Sequence, residues 1–123
     1  MTVRRQTVTV VSIADGSATA YSPRISGKLC SISYVKTDYD NGVGFTITAE
    51  TSGETLWTEA AVNASATRYP RGPTHSTAGV AALYVAAGTA VFDKIALASD
   101  RVKIVLATAG NVKTGTFHIV VDG

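Results

Sequence analysis

The chain has 123 residues, of which 46% are hydrophobic and 16% are charged, and its formal net charge is +2 at pH 7. This length fits one domain, and the scattered charges exclude a basic face that could neutralise many phosphates, so we expect no direct nucleic-acid partner. A single cysteine excludes a disulfide within the chain, so packing and hydrogen bonds must hold the fold. Val, Ile and Thr greatly outnumber Leu and Met, which favours strands over helices.

The start of the chain predicts neither export nor membrane insertion. Polar residues such as Gln6 and Thr7 interrupt the apolar stretch that a signal peptide needs. No apolar run reaches the roughly 18 residues of a membrane span. We therefore expect no membrane partner, and folding in a reducing cytoplasm.

The first two elements are predicted to form a hairpin. Segment 3–13 is dominated by β-branched residues that alternate with polar ones, which predicts a strand. Asp15-Gly16 is typical of a tight turn, because Asp bonds locally and Gly accepts positive φ. Residues 17–21 are then expected to run back beside the first strand.

A second hairpin is predicted next. Residues 28–36 alternate in polarity and predict a strand whose core face carries Cys30, Ile32 and Tyr34. Asn41-Gly42 is the pair that a two-residue hairpin loop prefers. The return strand, 43–50, places these residues inward: Phe45, Ile47 and Ala49. Cys30 is accordingly predicted to be a small buried hydrophobe instead of a reactive thiol.

The middle of the chain is less regular. Residues 55–58, which carry the only tryptophan, predict a short third strand. From 59 to about 79 the alternation ends, and Pro70 and Pro73 exclude a central strand. We interpret this stretch as a long surface loop, a kind of segment that is often functional when ordered. Residues 80–87 fit both periodicities, but their short length favours a strand or irregular structure over a helix.

The last third of the chain predicts three more strands. They cover residues 91–97, 102–107 and 116–121, separated by turns at Ser99-Asp100 and at 110–115. About eight to ten short strands at this spacing predict an all-β, single-domain antiparallel β-sandwich, or a jelly-roll or barrel-like arrangement, over residues 1–123. An N-terminal arm of residues 1–6 and the loop at about 59–79 would stand outside its core.

The sequence predicts no enzyme, no cofactor and no metal site. His75 lies in a proline-rich stretch and His118 within a predicted strand, and no nucleophile motif accompanies either. One cysteine and two distant histidines lack the paired spacing of a zinc site. Segment 38–49 resembles a calcium loop, but Ala49 stands where a bidentate Glu is needed.

Two segments are predicted to meet a partner. They are the N-terminal arm and the long loop, with these candidate interface residues: Arg4, Arg5, Arg68, Tyr69, Arg71 and His75. Arg and Tyr are favoured at interfaces because they bury a large area and still form hydrogen bonds. Arg4 and Arg5 have a second interpretation, in which they only keep an edge strand soluble.

Six stretches of sequence carry a resemblance to a known group of proteins. They are Val-Arg-Arg-Gln-Thr-Val at 3–8, Asn-Gly-Val-Gly-Phe-Thr-Ile-Thr at 41–48, Glu-Thr-Leu-Trp at 54–57, Arg-Tyr-Pro-Arg at 68–71, Ala-Ser-Asp-Arg-Val-Lys-Ile-Val at 98–105 and Lys-Thr-Gly-Thr-Phe at 113–117. Together they resemble small virion proteins encoded in the structural gene clusters of tailed bacteriophages, over nearly the whole chain. The resemblance includes no catalytic motif.

Such a resemblance implies a head decoration (cement) protein, made in the host cytoplasm and located on the capsid surface of the virion. Its expected partners are the major capsid protein or other virion proteins, and its expected oligomer is a homotrimer. A tail, neck or head-completion component of the same particle is an alternative. A third possibility is a β-sandwich carbohydrate-binding module, which is supported only by Trp57 and the tyrosines as rings that could stack on a sugar.

Overall fold

Ten β-strands make up the regular structure of the chain, which a computed structural model describes over residues 3–123. The strands are β1 (Val3–Val11), β2 (Ala18–Tyr21), β3 (Ile25–Lys36), β4 (Val43–Ala49), β5 (Thr55–Val62), β6 (Ala66–Arg68), β7 (Arg71–Pro73), β8 (Phe92–Asp100), β9 (Val102–Ala107) and β10 (Thr114–Asp122). Nothing in the described part of the chain folds into a helix of the length and hydropathy that spanning a bilayer requires.

The strands form two antiparallel sheets. Sheet A has six strands in the order β1-β10-β3-β8-β7, and β6 pairs with the second half of β3. Sheet B has four strands in the order β2-β9-β4-β5. The predicted all-β class, the antiparallel pairing and the number of strands are confirmed, and the two separate sheets make the domain a β-sandwich.

Aromatic side chains join the inner faces of the two sheets. Phe45 of sheet B lies 5.3 Å, centroid to centroid, from Phe117 of sheet A and 4.6 Å from Trp57, both in edge-to-face contact. Tyr34 also packs 5.3 Å from Phe45. Period-two alternation brings each of these rings inward, and the predicted inward positions of β4 are confirmed. Edge-to-face pairs add to the stabilisation that area burial provides.

Both predicted hairpins are wrong, because the chain changes sheet at each turn. β1 pairs with β10 and β2 pairs with β9, while β3 lies in sheet A and β4 in sheet B. A two-residue loop of the expected type needs positive φ at both central residues. Gly42 has a φ of 90°, but Asn41 is not in the left-handed region. The connection after β3 therefore crosses between the layers.

Tyr39 anchors this crossing to sheet A. Its hydroxyl donates a 2.6 Å hydrogen bond to the carbonyl of Val10, and its ring stacks on Tyr34. A Cβ on Gly115 would overlap with the Tyr39 ring. Gly115, which the sequence analysis assigned to a turn, lies in β10, where its missing side chain makes room for that ring.

Cys30 lies outside the core, contrary to the prediction. Leu29 and Ser31 of β3 pair with consecutive residues of β10, so Cys30 is the extra residue of a β-bulge. The bulge shifts the alternation by one position, which makes Leu29 fully buried and leaves Cys30 partly exposed. The core positions predicted for Ile32 and Tyr34, which follow the bulge, are confirmed.

The two segments predicted to lie outside the core are largely strand. Residues 1–2 of the predicted N-terminal arm lie outside the described residues, and residues 3–6 are paired with β10 as part of β1. The predicted loop at 59–79 contains the end of β5 and all of β6 and β7. Its two prolines restrict β6 and β7 to short strands, because proline donates no backbone hydrogen bond. Residues 80–87 are irregular, with isolated bridges at Ala81 and Leu83.

Asp100 lies at the corner where the chain passes from β8 to β9. Because β8 extends to Asp100, the turn predicted at Ser99-Asp100 is instead the end of a strand. The Asp100 carboxylate accepts hydrogen bonds of 2.8 Å from the backbone N–H groups of Thr51 and Arg101. Burial by itself would raise the pKa of Asp100, but these hydrogen bonds outweigh it and hold the pKa below its usual value. Beside it, hydrogen bonding to Arg101 lowers the pKa of Glu50.

Replacing Tyr39 with Phe tests the anchoring role of its hydroxyl. We expect the free energy of unfolding to fall by about 1–2 kcal/mol, because the Val10 carbonyl loses a buried donor. Urea unfolding measures this difference. Tyr69→Phe is the matched control, since Tyr69 is 66% exposed, and should leave stability unchanged. Equal stabilities of the two variants would contradict the anchoring role.

The Asp100 corner also predicts a pH dependence. A carboxyl whose pKa is lowered by folding contributes stability above its unfolded pKa, and this contribution is lost as the pH falls through the folded pKa. We expect the wild-type protein to lose unfolding free energy as the pH falls below about 4, the ordinary pKa of an Asp side chain. Asp100→Asn keeps an oxygen acceptor without the charge, so its loss over this range should be smaller. Identical pH profiles in urea unfolding would disprove the assignment.

Candidate functional site: the exposed surfaces

Between β7 and β8 the chain projects from the sandwich as residues 74–91, here called the apolar loop. Backbone hydrogen bonds of 2.9 Å close a ring at its base: Thr74 donates to Val91, Val91 to Ala82 and Ala82 to Thr74. Two tight turns within the loop, at residues 76–79 and 85–88, are each closed by a backbone hydrogen bond between their first and last residues. Most of its residues are exposed, so local hydrogen bonds, and not burial in the core, determine its shape.

The apolar loop combines exposed hydrophobic side chains with an absence of charge. From Gly72 to Phe92 the sequence contains no Asp, Glu, Lys or Arg. Four large apolar side chains of the loop are exposed to solvent: Val80 65%, Leu83 42%, Tyr84 72% and Val85 68%. Large exposed apolar side chains without neighbouring charges are candidates for contact with a partner.

Of the predicted loop residues, Arg68 and Arg71 are engaged within the fold. The Arg68 guanidinium makes two hydrogen bonds, of 3.0 and 3.1 Å, to the carboxylate of Glu59 and lies 5.4 Å from the centroid of the Trp57 ring. Arg71 donates to the backbone carbonyl of Cys30 at 3.0 Å, which joins β7 to the bulge of β3. Both side chains have structural contacts that the sequence did not indicate.

Tyr69 and His75 remain exposed. Tyr69 is 66% exposed in the link before β7, and His75 lies at the start of the apolar loop, where its backbone bridges to Ala81. The predicted long loop therefore contributes two exposed side chains to the surface and two arginines that form contacts within the fold, of which Arg68 is itself exposed.

Trp57 is buried beneath Arg68 and is only 6% exposed. Its indole N–H donates a 3.0 Å hydrogen bond to the Glu59 carboxylate. A ring with both its face and its polar atom occupied has no free surface on which a sugar could stack. The carbohydrate-binding alternative therefore loses the support of the tryptophan.

Arg4 and Arg5 lie on β1, at the opposite edge of sheet A from β7. Adjacent strand residues face opposite sides, and only Arg5 lines an open depression of about 500 Å³ on the outer face, together with Ser33, Thr67 and His118. The depression therefore joins Arg5 to residues 65–67 of the predicted long loop, but none of the interface residues predicted for that loop lines it. Because β1 is an edge strand, both interpretations of its arginines stay open.

The depression beside Arg5 is lined by hydroxyl groups and one imidazole. Nδ1 of His118 lies 3.1 Å from the Thr7 hydroxyl, and the hydroxyls of Ser33 and Thr67 are 3.0 Å apart. Such groups can form hydrogen bonds with a polar partner surface. Within residues 3–123, no group of three or more His, Cys, Asp or Glu side chains is placed to hold a metal ion.

The sequence analysis included only the first part of the apolar loop, residues 74–79 with His75, among its functional candidates, and it missed the apolar residues that follow. The signal was available in the run from Gly72 to Phe92, which lacks charged residues although it lies outside any regular strand pattern. The Arg and Tyr residues that are typical of interfaces lie just before the loop. Whether the apolar side chains that follow are covered by other residues depends on the tertiary structure, which the sequence does not show. Comparison with known protein families and with curated proteins finds no match for this sequence.

If the apolar side chains of the loop do not support the fold, their removal should not destabilise it. We expect the double variant Leu83→Ser, Tyr84→Ser to change the unfolding free energy of the dilute protein by less than about 0.5 kcal/mol. Leu29→Ala, in the core, should cost about 2–5 kcal/mol. Urea unfolding compares the variants. A large loss in the loop variant would mean that the loop has a structural function.

Proposed function

We propose that the protein is a bacteriophage virion structural protein, and specifically a capsid decoration (cement) protein that stabilises the head through non-covalent contacts with the major capsid protein. The sequence resemblance supports this proposal. The observation that carries it is the charge-free apolar loop projecting from a β-sandwich, because such a loop favours contact with other proteins over chemistry on a small substrate. A rigid core with projecting contact segments suits a protein that covers seams between subunits.

The strand faces support a role in contact as well. On the outer face of sheet B, Thr19, Val105, Thr46 and Thr58 form one row across the four strands. On sheet A, Thr9 and Thr116 lie side by side. Short hydroxyl and methyl groups lose less solvation on contact than Lys or Glu would, so both faces can pack closely against neighbouring subunits.

Binding to phage heads that lack decoration tests the proposal. We expect the purified protein to co-sediment with such heads and to saturate at regular lattice positions in electron micrographs. Because the proposed contacts are largely uncharged, binding should persist at about 0.5 M salt, where exposed charge interactions are screened. Absence of binding would disprove the decoration role, and labelling of the neck or tail of intact particles would establish the alternative location.

The same assay separates the two interpretations of β1. If Arg4 and Arg5 face the capsid, Arg4→Ala with Arg5→Ala should weaken head binding severalfold. If they only protect the exposed edge of the strand, the double variant should bind heads normally but aggregate at lower protein concentration. Lys113→Ala, at the other end of the sandwich, is the control for the loss of positive charge.

A further inference from the structure

The outer face of sheet B contains a shallow groove between β5, β4 and β9. Its volume is about 380 Å³, and its lining includes these outward residues: Gly44, Thr46, Thr58, Ala60, Val105 and Ala107. Gly44 pairs with Ala107 across the β4–β9 ladder and has no side chain, which leaves the floor of the groove low. The groove therefore presents methyl and hydroxyl groups in a concave surface.

This groove offers no free charge to a partner. Glu59 is the one charged residue in its lining, and its carboxylate is already bound by the Arg68 guanidinium and the Trp57 indole. The three other depressions described on the surface contain Arg or Lys side chains. One of these depressions contains a paired lysine, since Lys94 lies 3.5 Å from Asp122. An apolar partner would still have to cover an Arg or Lys charge in each of the three, and covering a charge costs free energy.

The apolar loop has the chemistry that this groove accepts. It carries no charged residue, and it exposes the side chains of Leu83 and Tyr84. No residue of the loop lines the groove of its own chain. Two complementary surfaces at different places on one molecule generate a head-to-tail contact between copies.

We propose that the apolar loop of one copy occupies the sheet B groove of a second copy, with Tyr84 and Leu83 as the anchoring side chains. A loop seated in a groove is surrounded on more sides than a loop that lies against another loop, so it buries more apolar surface, which favours this contact over a symmetric one. Head-to-tail contacts close into a ring when the rotation between copies permits. Loop and groove belong to the chain itself, so their association is independent of the proposed virion role.

Two single variants and their mixture test this contact. Gly44→Leu fills the groove, and it should fold, because Gly44 has no left-handed φ and a Cβ there makes only ordinary contacts, 3.5 Å from Ala60. Tyr84→Asp places a charge on the loop tip at a largely exposed position. Light scattering coupled to size-exclusion chromatography should find an oligomer for the wild-type protein and a monomer for each variant.

An equimolar mixture of the two variants should form a heterodimer. The Gly44→Leu copy keeps an intact loop, and the Tyr84→Asp copy keeps an intact groove, so one productive contact is restored. Thr9→Leu on the outer face of sheet A and Tyr69→Asp outside the loop are matched controls that should assemble as the wild type does. Circular dichroism verifies that each variant is folded.

Three results would overturn the proposal: a wild-type protein that stays monomeric at high micromolar concentration, a Gly44→Leu variant that still assembles, or a mixture that stays monomeric. Assembly of Gly44→Leu without assembly of Tyr84→Asp would indicate a loop-to-loop contact instead. A monomeric protein that binds phage heads would disprove this contact and leave the decoration role standing. An oligomer that fails to bind heads would disprove the decoration role and leave the contact between copies standing.

Discussion

Packing of aromatic rings between the two sheets is the interaction on which the rest of this structure depends. Phe45 contacts Phe117 across the layers, and Tyr34 contacts both rings. No disulfide assists, because the chain has one cysteine. The chain passes repeatedly from one sheet to the other. Tyr39 extends the cluster to the segment that connects β3 with β4, through its stacking on Tyr34 and its hydrogen bond to Val10.

Two features of the surface take no part in this core packing. Most of the apolar loop lies outside the buried cluster, and its shape comes from backbone hydrogen bonds. Its apolar side chains therefore have no explanation in the stability of the isolated domain. The same holds for the uncharged groove on sheet B, where a side chain at Gly44 would fit without strain. Both features are used by the contacts that we propose, one with the capsid and one with a second copy.

Much of the fold could be predicted from the sequence, because strand alternation is a local property. The inward residues of β4 and the boundaries of β9 follow directly from the period-two pattern. Strand partners did not follow, since Asn41-Gly42 is compatible with both a hairpin and a crossing. The bulge at Cys30 was equally hidden, because an extra residue in a ladder is defined by the partner strand. Two candidate site residues have partners within the fold that the sequence did not indicate. Arg68 binds the Glu59 carboxylate, and Arg71 donates to the backbone carbonyl of Cys30.

By itself, the sequence determined that this chain is a single all-β domain without a disulfide, with an interior of alternating apolar residues and a nearly neutral exterior. These properties depend on residue type and on neighbours along the chain. The tertiary structure decided which strands share a sheet, that Trp57 is covered, and that Leu83 and Tyr84 are not. Whether an apolar side chain becomes core or contact surface depends on what packs over it, and that is a property of the whole fold. The stretch from Gly72 to Phe92 lacks charge throughout, but only the tertiary structure shows that its large apolar side chains are exposed.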